Sequence, residues 1–577
     1  MKLDVLRKII REEVRAAVKE ELQDVMNEAV KYASTPTKMQ EVPKGQPKRW
    51  STGKSATLDE MLQDTRLSMT SQDVSNIKEK IFYTINSKNL INDVSSFFKR
   101  QSKKLSLKKE LEKYFKTSIK GKIIRYDHHL SHIASSYYLS GFKNATGISI
   151  DGFGDFCSLA IASCQNNKIE ILARTFYPNS LGVFYEGITQ ILGFKNYGDE
   201  YKVMGLSAYG KPMYKKKLEK IIEFDPFKFI NLNLKYFLHT KKNFDYKFKG
   251  TPKSKPLIDK KKFLKLLSID NKKLNQFETK ANIASSAQKI FEEIFFKIVQ
   301  QSLRYYRSKN LVLSGGCAMN CLANGKLSSQ NIYKNIFVPY CPGDNGGAIG
   351  SALLSYNKKL STKSFQNPYL GLRNNNKKEL IDFLKINNLK FLEYSNYKKI
   401  NRKLVSELIK KKIIAIFRNN MEFGSRALGN TSILCDPRLL NAKKIINSKV
   451  KLREKFRPFA PSILEQDVKK WFKTSIKSPY MSFVLKFQNK KKNLIPAVCH
   501  IDQTGRLQTV DKKLNPYFYD LLKEFKKKTN VPMLLNTSFN ENEPIVENQF
   551  RAIKTFKRTS LDFLVINNFL ISKKNVK

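Results

Sequence analysis

The chain has 577 residues, 41% apolar and 27% charged, with 106 Lys and Arg against 50 Asp and Glu, a formal net charge of +56. That length exceeds one ordinary core and predicts two or three domains, and no run of about 18 apolar residues marks a membrane span. The basic excess invites a nucleic-acid reading. The cations are mostly Lys, however, in short runs at 215–217, 260–262 and 490–492 among many Asn, Ile and Phe, as a residue-usage bias would give. They are read as solvated faces that would draw phosphate-rich ligands. The seven cysteines stand singly and match neither a disulfide framework nor a zinc ribbon. Free thiols in a reducing compartment are expected, and with a charged rather than apolar N-terminus the expected location is cytoplasmic.

In chain order, residues 1–32 place Val5, Leu6, Ile9, Ile10, Val14, Val18, Leu22, Val25 and Met26 at helical spacing. So narrow a stripe suits pairing with another helix, and self-association through 1–32 is one expectation. Residues 33–77, rich in Ser, Thr, Lys, Gln, Pro and Gly, have the composition of a flexible linker. From about residue 121, strands alternate with helices, the signature of an α/β protein. Strands are expected at 123–126, 146–150, 159–162, 169–172 and 310–313, with a long amphipathic helix over 276–306. A second α/β segment begins near 366, with buried strands at 413–417 and 531–535. The expected organisation is a helical and flexible extension over 1–77, a first domain over 78–365 and a second over 366–577.

Three of the five histidines fall in Asp127-His128-His129-Leu130-Ser131-His132. If that segment opens a helix, His128 and His132 share a face, a spacing that suits one divalent metal; a packed histidine cluster has the same spacing. Asp151-Gly152-Phe153-Gly154-Asp155 and Gly343-Asp344-Asn345-Gly346-Gly347 each follow an apolar strand, and Ser314-Gly315-Gly316-Cys317 is a Gly-Gly turn after another. Such glycines let backbone N–H groups approach a phosphate, and the aspartates can hold a cation, although turns of this kind are common in α/β folds. The C-terminal half offers Arg426 within 422–430, Lys451 and Arg457 within 451–459, Arg506 within 500–506, and Asn536 and Ser538 within 535–540. Arg and Lys beside Asn and Ser supply forked donors for phosphate oxygens and neutral donors for a carbonyl or amide. Any one of these cations alone is equally a surface charge.

Taken together, His128-His129-Leu130-Ser131-His132, Asp151-Gly152-Phe153-Gly154, Glu200-Tyr201-Lys202-Val203-Met204-Gly205-Leu206, Ser314-Gly315-Gly316-Cys317 and Gly343-Asp344-Asn345-Gly346-Gly347 resemble the NodU/CmcH/TobZ-type carbamoyltransferases. The Arg426, Arg457, Arg506 and Asn536 segments resemble them too, in order and spacing over about residues 120–570. The resemblance implies an actin-like (ASKHA) domain, related to threonylcarbamoyl transferases, followed by a YrdC-like α/β domain. It implies an O-carbamoyltransferase that makes carbamoyl-adenylate from ATP and carbamoyl phosphate and passes the carbamoyl group to a hydroxyl of a small, sugar-like acceptor. His128, His132, Asp151 and Asp344 match the family's metal positions, with Fe(II) the implied ion and Mg accompanying ATP. Arg426, Lys451, Arg457 and Arg506 match catalytic positions of the donor site, and Asn536 and Ser538 match its substrate-binding positions. Lys202, Gly315 and Gly316 are expected to contact the nucleotide in the first domain. Neither nucleic acid nor membrane is an implied partner. The leading strand with a His-Asp-Ser-type turn, and the Glu-Glu-Arg segment that follows it in the family, are not found in this sequence, so the first sheet is expected to lack its leading strands. This leaves a second reading, a catalytically incomplete relative acting as a binding or assembly protein through its extension. The acceptor pocket is expected within about 215–275.

Overall fold

The computed structural model describes residues 107–121, 123–240, 255–356, 366–372, 376–541 and 543–573. The expected helix over 1–32 and the linker over 33–77 lie outside the described residues, as does part of the expected acceptor region. One compact unit comprises 124–154, 158–238 and 244–577; the other comprises 1–123, 155–157 and 239–243, where the described residues form a helix at Leu107–Phe115.

The larger unit is mixed α/β and carries two large sheets, besides a two-stranded pairing of Ile222–Glu223 with Asn231–Leu232. The first has five strands: β1 (Asn144–Gly154), β2 (Cys157–Gln165), β3 (Lys168–Phe176), β4 (Asn310–Ser314) and β5 (Asn335–Phe337), in the order β3-β2-β1-β4-β5. β1 pairs with β4, and β4 with β5, in parallel. The β2–β3 connection turns at Asn166 and Asn167, both at positive φ, the left-handed conformation that Asn tolerates in tight hairpins. Helices α1 (His128–Ser140), α2 (Leu181–Ile191), α3 (Glu200–Leu206), α4 (Phe277–Ser302), α5 (Cys321–Ser328) and α6 (Asn345–Ser355) surround this sheet. The expected helix over 276–306 is α4, whose apolar face buries Ile283, Ile290, Phe291, Ile294, Phe295 and Ile298. The expected strand at 123–126 is not found: these residues carry no strand pairing among the described residues, and Ile124 is exposed.

The second sheet has nine strands: β6 (Lys390–Glu393), β7 (Ile414–Phe417), β8 (Thr431–Cys435), β9 (Ala460–Leu464), β10 (Phe483–Lys486), β11 (Thr504–Val510), β12 (Met533–Ser538), β13 (Phe563–Ile566) and β14 (Phe569–Ser572). Their order is β10-β11-β9-β12-β8-β7-β13-β14-β6. β9–β11 and β7–β13 are parallel, and the other pairs are antiparallel. β7 and β12 are the expected apolar strands at 413–417 and 531–535, and Ile414–Phe417 and Met533–Leu535 are buried. The two halves meet where α5 lies on edge strand β10. Gly325 has no room for a side chain there, because a Cβ would run into the Val484 carbonyl. All seven cysteines are unpaired, and among the described residues no helix is long and apolar enough to cross a membrane.

Candidate active site

Two side-chain clusters of opposite charge stand out in the larger unit. The first is built at the sheet end of α1. Asp127 caps that helix, its carboxylate accepting from the Leu130 N–H at 2.8 Å. The cap fixes the helical phase, so His128 and His132 project one turn apart on one face while His129 turns away. His129 is buried, with Nδ1 2.8 Å from Ser149 Oγ, and is a packing residue. β1 brings Asp151 to the pair, and the turn before α6 brings Asp344. The His128 and His132 Nε2 atoms are 3.0 Å apart. Asp151 Oδ2 is 2.9 Å from His132 Nε2 and 3.4 Å from His128 Nε2, and Asp344 Oδ1 is 3.4 and 3.7 Å from them. Ligand atoms around one ion at bond lengths of about 2.0–2.2 Å lie roughly 3.0–3.6 Å apart. The four residues could therefore hold one divalent cation.

The electrostatics of the cluster are those of a tight anion–imidazole set. Burial is the largest influence on His132 and works to lower it. Hydrogen bonds to Asp151 and Asp344 and their charges outweigh it and raise His132 to about 9. Asp151 sits well below the usual carboxylate range: burial opposes, but the bonds to His128 and His132 win. Two glycines make the cluster possible. A Cβ at Gly154 would run into the His128 ring, and one at Gly315, held at φ 82°, would run into the Ile150 carbonyl. Gly316 lies directly against Asp151, so the Gly315-Gly316 turn borders this cluster.

The second cluster is cationic and belongs to the nine-stranded half. Arg426 sits in the loop before β8. Glu422 Oε1 anchors that loop by accepting from the N–H groups of Leu428, Asn430 and Thr431 at 2.7, 2.9 and 3.2 Å. Burial, then the Arg506 charge, push Arg426 down to about 10; burial, then Arg457, push Arg453 to about 9. Both remain cations at neutral pH. Arg506 projects from β11 with its Nε buried and without a partner among the described residues. Arg457 reaches Glu454 at 3.3 Å and lies 4.7 Å from the centre of the Tyr201 ring.

Four expected site residues, Lys202, Lys451, Ser538 and Asn536, are already engaged by partners within the protein. Lys202 is paired with Asp199 at 2.9 Å and Glu454 at 3.4 Å, which leaves its ammonium satisfied by protein carboxylates. Lys451 is fully buried, its Nζ donating to Ser538 O at 2.7 Å, Ser538 Oγ at 3.1 Å, Asn540 O at 2.9 Å and Asn540 Oδ1. It clamps the turn after β12, and Ser538 belongs to that clamp. Asn536 is also buried, and its amide nitrogen donates to Ala427 O at 3.1 Å, Ser462 Oγ at 3.0 Å and Gln508 Oε1 at 3.0 Å. That network sits beneath the Arg426 loop. Arg453, Glu422 and Glu454 lie in segments the sequence marks as cation-rich or polar, but nothing in their spacing singles them out. Tyr201 stands inside the Glu200–Leu206 motif, but nothing in the sequence gives it a role of its own.

Residues 14–353 match the model described as Carbamoyltransferase N-terminus, and residues 405–573 the one described as Carbamoyltransferase C-terminus. The N-terminal match thus reaches into the segment 1–77. An uncharacterized protein of Synechocystis sp. is 33% identical over 483 residues, 78% of this chain and 76% of the relative. Nodulation protein NolNO of Sinorhizobium fredii is 34% identical over 483 residues, 82% of this chain and 67% of its own. The 3'-hydroxymethylcephem-O-carbamoyltransferase of Streptomyces clavuligerus is 27% identical over 275 residues, 48% of this chain and 50% of that enzyme. The chain belongs to the carbamoyltransferase family and is a carbamoyltransferase enzyme.

Proposed function

We propose that this enzyme hydrolyses carbamoyl phosphate to carbamate and inorganic phosphate, and that a carbamate oxygen then attacks the α-phosphorus of ATP at the cationic cluster, giving carbamoyl-adenylate and releasing pyrophosphate. A hydroxyl of a small, sugar-like acceptor beside the His/Asp cluster then takes the carbamoyl group, and AMP leaves with the proton balance made by solvent. The observation that carries this reading is the gathering of Arg426, Lys451, Arg453, Arg457 and Arg506, linked through neighbouring charges from Arg426 to Arg506, from Arg506 to Arg453, and from Arg453 to Arg457 and Lys451, with Glu454 paired to Arg457. Partly buried guanidinium groups held so close repel one another, and a polyphosphate or acyl phosphate is the chemistry that neutralises them. Arg426 and Arg506 would bind phosphate oxygens as charge builds on the leaving pyrophosphate, with Arg457 beside them. The Asn536 network and the Lys451 clamp would hold the walls of the pocket in place. The name of the Streptomyces relative supports a hydroxyl as the acceptor.

His128, His132, Asp151 and Asp344 would hold a divalent ion, Fe(II) on the family resemblance, which when bound supplies Lewis-acid polarisation of a ligand oxygen. The half-buried Asp151 and the buried His132 fix the orientation of the set, while exposed Asp344 leaves one side open to a ligand. In this reading the first half is an actin-like (ASKHA) domain and the second a YrdC-like domain, with Mg accompanying ATP. The test is pyrophosphate release from the purified chain given ATP and carbamoyl phosphate, with Arg457→Ala as control. Release that needs both substrates and is lost in the variant supports the donor reaction. A folded, metal-loaded protein that releases none would refute it.

A further inference from the structure

α3 belongs to the half that carries the His/Asp cluster, yet two of its side chains are spent on the cationic cluster of the other half. Tyr201 places its ring 4.7 Å from the Arg457 guanidinium carbon. The same phenol lies within electrostatic reach of Arg426 and Arg453, so the ring stands among three arginines. The next residue, Lys202, pairs with Glu454 at 3.4 Å, and Glu454 in turn holds Arg457 Nη1 at 3.3 Å. Arg457 is therefore fixed by a ring and, through Glu454, by an ammonium, both from α3. The contact extends beyond these two residues: a Cβ at Gly205 would stand 3.5 Å from Pro458 Cδ, and Phe194, ahead of the helix, packs against Phe456.

A guanidinium on an aromatic face keeps its N–H edge available for an anion, because the ring occupies only its flat side. A salt bridge alone would use that edge. The Lys202 ammonium competes for Glu454 and so limits the carboxylate's hold on Arg457. We infer that Tyr201 and Lys202 are positioning residues of the donor site, presenting Arg457 edge-on to a phosphate. The anion site of the second half is then complete only with α3 of the first half in place. This rests on reading the cationic cluster as the donor's phosphate site.

The test uses the full chain and inorganic pyrophosphate as the probe, with binding followed by calorimetry and pyrophosphate release followed separately. Tyr201→Leu is expected to weaken pyrophosphate binding about tenfold, and Tyr201→Phe, which keeps the ring, to bind within about twofold of wild type. Lys202→Met is expected to weaken it too, by leaving Glu454 wholly on Arg457. In turnover the Tyr201→Leu effect is expected in KM for the phosphate substrates, with kcat little changed. Melting curves matching wild type exclude a folding defect. Unchanged binding in Tyr201→Leu, an equal loss in Tyr201→Phe, or a wild-type chain that does not bind pyrophosphate would each overturn the inference. If Tyr201→Leu weakens binding while the wild-type chain releases no pyrophosphate from ATP and carbamoyl phosphate, the donor reaction fails and the positioning role stands.

Discussion

Lys451→Met puts two large opposing energies against each other. The ammonium is buried, and burial, then the charges of Arg453 and Arg457, push it well below the usual lysine range. Replacing it with a methionine of similar length removes that cost, and buried charges exchanged for apolar groups can leave a protein more stable. Against this stand the acceptors at Ser538 and Asn540, two of them backbone carbonyls at 2.7 and 2.9 Å. A hydrogen bond from a charged donor contributes about 1.5–3 kcal/mol, and a buried acceptor left unmade costs about 1–3 kcal/mol. With several acceptors stranded at once, the loss outweighs the relief, and a net destabilisation of about 2–4 kcal/mol is expected. Urea unfolding followed by tryptophan fluorescence measures it, with Lys449→Met, in the same helical segment, as the comparison. The Ser538–Asn540 turn should also loosen, so pyrophosphate binding should weaken even where the variant is folded. A Lys451→Met chain as stable as wild type, or more so, would refute the claim that the clamp outweighs desolvation.

Gly154→Ala forces the His128 ring aside and is expected to lower metal content after loading with Fe(II) as far as His128→Ala does; full occupancy in the alanine variant would show that the ring has room to yield. Glu422→Ala strands three buried N–H groups and should lower the unfolding free energy from urea titration by several kcal/mol, at about 1–3 kcal/mol per group, whereas Glu422→Gln keeps an acceptor oxygen in place and should recover most of the loss; equal damage in both variants would count against the anchor. Burial, followed by the charges of Glu186 and Asp199, lifts the Glu200 carboxyl from 4.5 to about 7. Below 4.5 both folded and unfolded forms are protonated and its contribution is fully present; as pH rises to 7 the unfolded form ionises first, and stability on the order of 3 kcal/mol is lost. Glu200→Gln should therefore gain on wild type between pH 4.5 and 7.5 in urea unfolding, and an identical difference at both ends would contradict the shift.

The α/β class, the long helix α4 and the pairing of His128 with His132 were legible because each rests on local periodicity. A helix of 3.6 residues per turn separates His129 from the other two whatever else the chain does. The strand expected at 123–126 is not found because β propensity needs a neighbouring edge, and no strand among the described residues pairs with that segment. The fates of Lys202, Lys451 and Asn536 were beyond reach for a different reason. Each is a polar residue with at least one partner far away in sequence, Lys202 with Glu454 and Asn536 with Ala427, and composition cannot say whether a cation meets a ligand or a carboxylate of its own chain. Glu422 illustrates the same limit: its three partners are local, but its role depends on a loop geometry that only Gly424 and Gly429, both at positive φ, hint at.

The formal charge of +56 explains little about what the sites select. Exposed lysines are screened beyond about 8 Å at physiological ionic strength, so most of them act as a diffuse attraction for anions. Selection falls to side chains that water cannot screen. The nine-stranded half concentrates guanidinium groups around Arg426 and Arg506, and the five-stranded half concentrates carboxylates and imidazoles around Asp151 and His132. A ligand carrying phosphates suits the first set, and a cation suits the second. α3 carries both signs within four residues, Asp199 and Glu200 followed by Lys202, and sends the cation toward the arginines' own carboxylate. Without Lys202, Glu454 would face Arg457 alone and hold it more tightly. The arrangement keeps Arg457 ordered and only partly paired, which is the state a phosphate can complete.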